Sequence, residues 1–316
     1  MAVDKKQQDK ISDIGKFDFL KASKIFAAVS FALTFASIVV IMIDGFNYGI
    51  DFAGGTEVQV QFQSEVEAGR VRKFAESMGY TNAQVQSLGE NNEYLIRLES
   101  VEGANDKETN KLLNAMIAKV TEGLKTSFTS EGALVRRVDS VGPQVGSELK
   151  RNGLLAVFYS LLMILIYVGL RFDYKYAPGA VFCLFHDAII TLGIFSLFGR
   201  EVNVQTMAAV LTIIGYSLND TIVTFDRIRE NTVTYRDNTF TFIINRSLND
   251  VLSRTLLTSV TTMIAVAAMY ILAGGVIQDF AFTLGIGVIV GTYSSIYVAS
   301  PLVLLVDRLQ KSKAAA

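Results

Sequence analysis

Ile25-Phe-Ala-Ala-Val-Ser-Phe-Ala-Leu-Thr-Phe-Ala-Ser-Ile-Val-Val-Ile-Met-Ile43 contains no charged residue. At about 1.5 Å per residue, a helix of this length covers roughly the 30 Å hydrocarbon core of a bilayer. The run is longer than the 7–15-residue core of a secretory signal, and no small-residue cleavage site follows it, so it reads as an uncleaved first span. Five more apolar segments of comparable length follow, over 153–170, 177–198, 202–225, 255–273 and 281–306. The chain is read as an α-helical integral membrane protein with six transmembrane helices. Its composition agrees: 51% of the 316 residues are hydrophobic and only 19% are charged.

Orientation follows from the short flanking segments, because Lys and Arg are retained on the cytoplasmic side. Lys5, Lys6, Lys10, Lys16, Lys21 and Lys24 precede the first span. Arg171 and Lys175 follow the second, Arg227, Arg229, Arg236 and Arg246 the fourth, and Arg308, Lys311 and Lys313 the sixth. The opposite short loops carry only Arg200. The pattern predicts cytoplasmic tails at 1–24 and 307–316 and one large external domain at 44–152.

That external segment has a soluble pattern. Thr56–Phe62 alternates, with Val58, Val60 and Phe62 on one face and Glu57, Gln59 and Gln61 on the other, as a half-buried strand does. A helix over 64–78 aligns Val71, Phe74, Ala75 and Met78. Strands over 83–88 and 94–98 follow, then a helix over 107–124 with Leu112, Leu113, Met116, Ile117 and Val120 on its stripe, and a strand over 133–138. The order βαββαβ predicts an α+β, ferredoxin-like domain. Residues 239–253, too short and polar to span, predict an amphipathic interfacial helix on the cytoplasmic leaflet.

The chain has one Cys and one His, which argues against a disulfide framework and His-rich metal chemistry, and no nucleotide-binding loop is present. No catalytic constellation, metal or cofactor is expected, and no nucleic-acid partner. What invites a functional reading is charge inside the spans, where each ionised group costs at least about 2.5–3.5 kcal/mol. Asp187 lies midway along the third span, Asp220 in the inner third of the fourth, and Arg254 at the inner end of the fifth. Antiparallel neighbours bring Asp220 and Arg254 to similar depths, where a carboxylate and a guanidinium offset part of each other's desolvation. A polar seam surrounds them: Tyr216, Ser217, Asn219 and Thr221 on the fourth span, and Thr258, Thr261 and Thr262 on the fifth. Gly215, Gly287 and Gly291 read as helix-packing positions, the last two at the GxxxG spacing. Asp187 is a further candidate for ion coupling. His186 is its neighbour in sequence and points about 100° away around the helix. Cys183 reads as packing. Such residues can serve as a coupling device driven by a proton or a sodium ion, and the sequence leaves both open.

Several motifs occur in order: Gly49-Ile-Asp-Phe-Ala-Gly-Gly-Thr56, Val141-Gly-Pro-Gln-Val-Gly-Ser-Glu-Leu149, His186-Asp187, Gly215-Tyr-Ser-Leu-Asn-Asp-Thr221 continuing to Asn231, and Ser253-Arg-Thr-Leu-Leu-Thr-Ser259. On these the chain resembles the SecF branch of the SecD/SecF family of protein-export subunits, within the resistance-nodulation-division superfamily. The resemblance implies pairing with SecD into a pseudo-symmetric bundle of twelve helices. It also implies assistance to the SecYEG translocon at a late step of preprotein movement, driven by an ion gradient. Unfolded preproteins would be the substrate, the bacterial inner membrane the location, and YajC and YidC further candidate neighbours. Asp220 and Arg254 fall on the family's ion-pathway positions, and Asp51, Gly54 and Gly55 form its external motif. Three other readings compete. An intramembrane aspartyl protease built on Asp187 and Asp220 lacks the expected glycine pattern before the second aspartate. Half of a small-molecule exporter and a passive scaffold are the others.

Overall fold

The computed structural model describes residues 15–315 except 89–91, 100, 102, 104 and 173–174. Lys5, Lys6 and Lys10 of the basic tail lie outside the described residues. The first apolar run forms α1 (Ser23–Asp44) and stops at Gly45, whose φ of 68° breaks the helix. A two-residue strand β1 (Asn47–Tyr48) and one turn of helix α2 (Ile50–Ala53) lead into the external domain.

That domain contains β2 (Gly55–Gln61), α3 (Ala68–Ser77), β3 (Gln84–Ser87), β4 (Glu93–Leu98), α4 (Asp106–Ser127) and β5 (Leu134–Val141). The βαββαβ order holds, and the antiparallel sheet runs β3-β4-β2-β5. Alternation places Val58, Val60, Ile96 and Leu98 against Val71, Phe74, Met116, Val120, Leu124 and Phe128, forming one core on the helical side of the sheet. Leu112, expected in the α4 stripe, is exposed, and Leu124 one turn beyond the other stripe residues is buried instead.

The bundle consists of α5 (Pro143–Arg171), α6 (Ala177–Leu197), strand β6 (Glu201–Val202), α7 (Val204–Thr234), α8 (Phe240–Leu272), α9 (Gly275–Ser294) and α10 (Ser300–Ala315). A five-residue π segment, Ser295–Ala299, joins the last two helices without interruption. Among the described residues, six helices, counting α9 through α10 as one, are long and apolar enough to cross a membrane. Helices α6 and α7 occupy the centre, whereas α1 and α5 present large apolar side chains such as Phe31, Phe35, Met42, Phe158 and Leu170 to the outside.

Residues 239–253 correct one expectation. They form no separate interfacial helix but the first half of α8, since no Gly or Pro interrupts 240–272. Ile243, Ile244 and Leu248 are buried in the protein core rather than turned to lipid. The same half of α8 holds the segment just before α1: Asn245 and Asn249 accept the backbone N–H groups of Phe19 and Phe17 at 2.9 and 3.0 Å.

Two glycines of the GxxxG pair sit at close helix crossings. A Cβ on Gly287 would meet Ile213 at 2.2 Å, and one on Gly291 would meet Ser217 at 3.1 Å, so α9 rests directly on α7. Gly215 is exposed, and among the described residues nothing lies within 4 Å of an added Cβ, so it packs against no other helix of this chain.

Candidate functional site: buried charge between the central helices

Asp187 projects from the middle of α6 and is 1% exposed. Its Oδ2 accepts the hydroxyl of Ser217 from α7 and that of Ser294 from α9, the latter at 2.7 Å. Its Oδ1 meets His186 Nδ1 at 2.8 Å. His186 therefore does share the site, because two adjacent side chains on a helix can fold toward each other even though their Cα–Cβ vectors diverge. Cys183, one turn away, lies 3.1 Å from Ser294 Oγ and takes part in the same network. Every oxygen of this carboxylate is satisfied, and the network ties α6, α7 and α9 together. Replacing Asp187 with Leu would take this acceptor from His186, Ser217 and Ser294, of which, among the described residues, Ser294 alone still reaches another, the Gly291 carbonyl at 3.1 Å. Expected is a loss of about 3 kcal/mol or more, read as a lower thermal midpoint of the purified protein.

Asp220 contrasts with it. The residue is 4% exposed, and its buried Oδ2 has no hydrogen-bond partner among the described residues. It lies one turn beyond Ser217 on α7, beside buried Thr221 and Thr224. Arg254 is near enough to act on it electrostatically but makes no ion pair with it among the described residues. Instead Arg254 is exposed on the flank of α8, and the direct pair expected from helix depth is not formed in this chain alone.

The polar seam divides in two. Ser217 and Thr221 turn inward, Thr221 donating to Ser217 O at 3.1 Å. The hydroxyls of Thr258, Thr261 and Thr262 bond carbonyls of their own helix, which satisfies them without a partner helix. Tyr216 is half-buried, its hydroxyl 3.5 Å from Ser259 Oγ, and Ser259 lies 2.6 Å from Thr292 on α9. Asn219 on α7 and Arg254 and Thr261 on α8 are exposed. A charged or amide side chain exposed at hydrocarbon depth requires water or another protein against it.

The external motif has its own place. Asp51 Oδ2 accepts the N–H of Val204, the first residue of α7, at 3.0 Å, so a carboxylate caps the positive end of that helix. Strand β1 pairs in parallel with β6, immediately before α7. Gly54 and Gly55 have φ values of 74° and 136°, and a Cβ on Gly55 would meet the carbonyl oxygen of Leu98 at 2.7 Å. Gly146 in the first turns of α5 packs against the backbone of Gly54 and Phe52. The Gly-Gly pair thus lets the chain turn from α2 into β2 where the domain meets the bundle. Sequence reasoning missed one charged cluster there, Arg97 between Glu57 and Glu201. Only the exposed-face alternation of β2 gave a signal, by turning Glu57 away from the core.

These features define a multi-pass membrane protein with one ferredoxin-like domain inserted after its first span. Residues 120–309 match the family described as protein export membrane protein SecD/SecF, C-terminal, and residues 39–66 match the SecD/SecF GG motif. The chain is 45% identical to protein translocase subunit SecF of Magnetococcus marinus, covering 95% of each chain. It is 41% identical to SecF of Calditerrivibrio nitroreducens, covering 95% of this chain and 97% of that one. The crystal structure of SecDF from Thermus thermophilus, described as a translocon-associated membrane protein, superposes with a TM-score of 0.79 at 38% identity. That match covers 92% of this chain but 38% of the longer one. The chain belongs to the SecF family of protein translocase subunits. Its role is in protein transport through the Sec pathway.

Proposed function

We propose that this subunit couples an ion gradient, of protons or sodium, to a late step of preprotein translocation, acting beside a SecD-type chain and the SecYEG channel. Asp220 takes up and releases the ion, and Arg254 is its counter-charge. One observation carries the reading: a carboxylate enclosed at hydrocarbon depth whose buried Oδ2 has no hydrogen-bond partner among the described residues, in the same bundle as the fully satisfied Asp187. An unsatisfied buried oxygen costs about 1–3 kcal/mol, which argues for a changing occupant rather than structural cement. The exposure of Asn219 on α7 and Arg254 on α8 supports a second six-helix half packed against these helices. A relative in which this chain's counterpart occupies 40% of a longer SecDF polypeptide supports the same pairing. The basic flanks support both termini in the cytoplasm and the ferredoxin-like domain in the periplasm of a bacterial inner membrane.

The test is export into membrane vesicles with the proton and sodium gradients collapsed separately by selective ionophores. Collapse of one gradient should stall late translocation after ATP-driven insertion has finished. If export runs unchanged with both gradients gone, the subunit is a scaffold.

A further inference from the structure

We propose that Arg97 is a positioning residue that clasps the external domain to the outer end of α7, so that the domain follows movement of the helix carrying Asp220. Arg97 stands on β4, directly across from Glu57 on β2. Its Nη2 lies 2.7 Å from Glu57 Oε1, and Nε is 3.2 Å from the same oxygen. The same Nη2 also reaches Glu201 Oε2, which belongs not to the domain but to β6 of the bundle. The three side chains are only 13%, 14% and 18% exposed. Enclosure makes the cluster sensitive to deletion of one partner, because the charge left behind is poorly solvated. Burial pushes the Glu57 carboxyl above its ordinary range against the pull of Arg97, and Glu201 and Asp51 add to the push. Glu57 is fixed in the sheet. It holds the guanidinium in the orientation that presents it to Glu201.

What lies beneath Glu201 makes the contact more than a surface pair. Glu201 and Val202 pair with Asn47 and Tyr48, and Gly49 N–H donates to Val202 O at 2.9 Å. Asn203 then caps α7 reciprocally with Thr206, at 2.8 Å from the Thr206 N–H, while Asp51 holds the N–H of Val204. The segment is stiff from Glu201 into the first turn of α7. From Val204 the same uninterrupted helix runs sixteen residues to Asp220, a lever of about 24 Å at 1.5 Å per residue. Asp51 and β1 hold the linker to α7, whereas Arg97 alone ties the sheet itself to Glu201 among the described ion pairs.

The clasp transmits motion only if Asp220 is the ion acceptor, and in that respect it rests on the function proposed above. The test uses the full chain assembled with its SecD-type partner in liposomes. Nitroxide labels are placed on exposed Asn114 in α4 and exposed Ile271 at the outer end of α8, and Cys183, which is buried, is kept. The parent should give one narrow label-to-label distance distribution. Glu201→Gln should broaden it about twofold or more and lower gradient-driven export about threefold to tenfold at normal yield. Glu201→Asp should recover most of both. An unchanged distribution in Glu201→Gln would overturn the clasp and leave the role of Asp220 untouched. A broadened distribution with normal export would show that the contact is structural only and overturn it equally.

Discussion

In the Asp220→Asn variant, gradient-driven export falls at least about tenfold, to the rate seen without a gradient, while the subunit still inserts and assembles. Asparagine has nearly the shape of aspartate but neither takes up a proton nor offers a negative charge to a cation. One proton crossing 150–200 mV releases roughly 3.5–4.6 kcal/mol, enough to reverse a two-state bias of a few kcal/mol. Removing the acceptor removes that input whole. Folding should survive, because Asp220 Oδ2 makes no hydrogen bond whose loss would loosen the bundle. The Asn amide adds a donor at the same spot, at about 1–3 kcal/mol, which size-exclusion of the solubilised complex will register if it matters. Export assays with and without an imposed gradient, normalised to assembled complex, read the effect.

Gly55→Ala produces the largest structural effect. The backbone at Gly55 has φ of 136°, a conformation L-residues seldom adopt, and the new methyl would stand 2.7 Å from the Leu98 carbonyl oxygen and 3.2 Å from Ile50 Cγ2. Because the nearest atom is sheet backbone, no rotamer change relieves the contact. Strain and overlap together amount to about 3 kcal/mol or more, a large share of a protein's net stability. Proteolysis of the external domain should become rapid, and the thermal midpoint should fall by roughly 5 °C or more. Gly69→Ala on α3 is the control: nothing lies within 4 Å of its added Cβ, and its midpoint should hold or rise slightly.

Hydropathy alone located the six spans, since a bilayer demands uninterrupted apolar length. It did not reveal how far the helices continue beyond the lipid. Helix α7 runs to Thr234 and α8 begins at Phe240 because nothing in those residues breaks a helix, whatever solvent surrounds them. Period-two alternation in β2 and the stripes on α3 and α4 made the external domain legible. Within the site, Asp187 and Asp220 were conspicuous as charges in apolar runs. Their difference was not, because the hydroxyls that satisfy Asp187 come from Ser217 and Ser294, on two other helices. Depth puts Arg254 beside Asp220, but depth does not fix which way a helix faces. Arg97 and Glu201 stand 104 positions apart in sequence. Only the docking of the domain on the bundle brings them together.

Ion flux through the purified subunit and its SecD-type partner, reconstituted in liposomes under an imposed gradient, probes the buried carboxylate most directly. The parent pair should conduct protons or sodium ions well above protein-free liposomes, and the Asp220→Asn pair should match the protein-free level. Equal flux from both pairs would mean that Asp220 carries no ion.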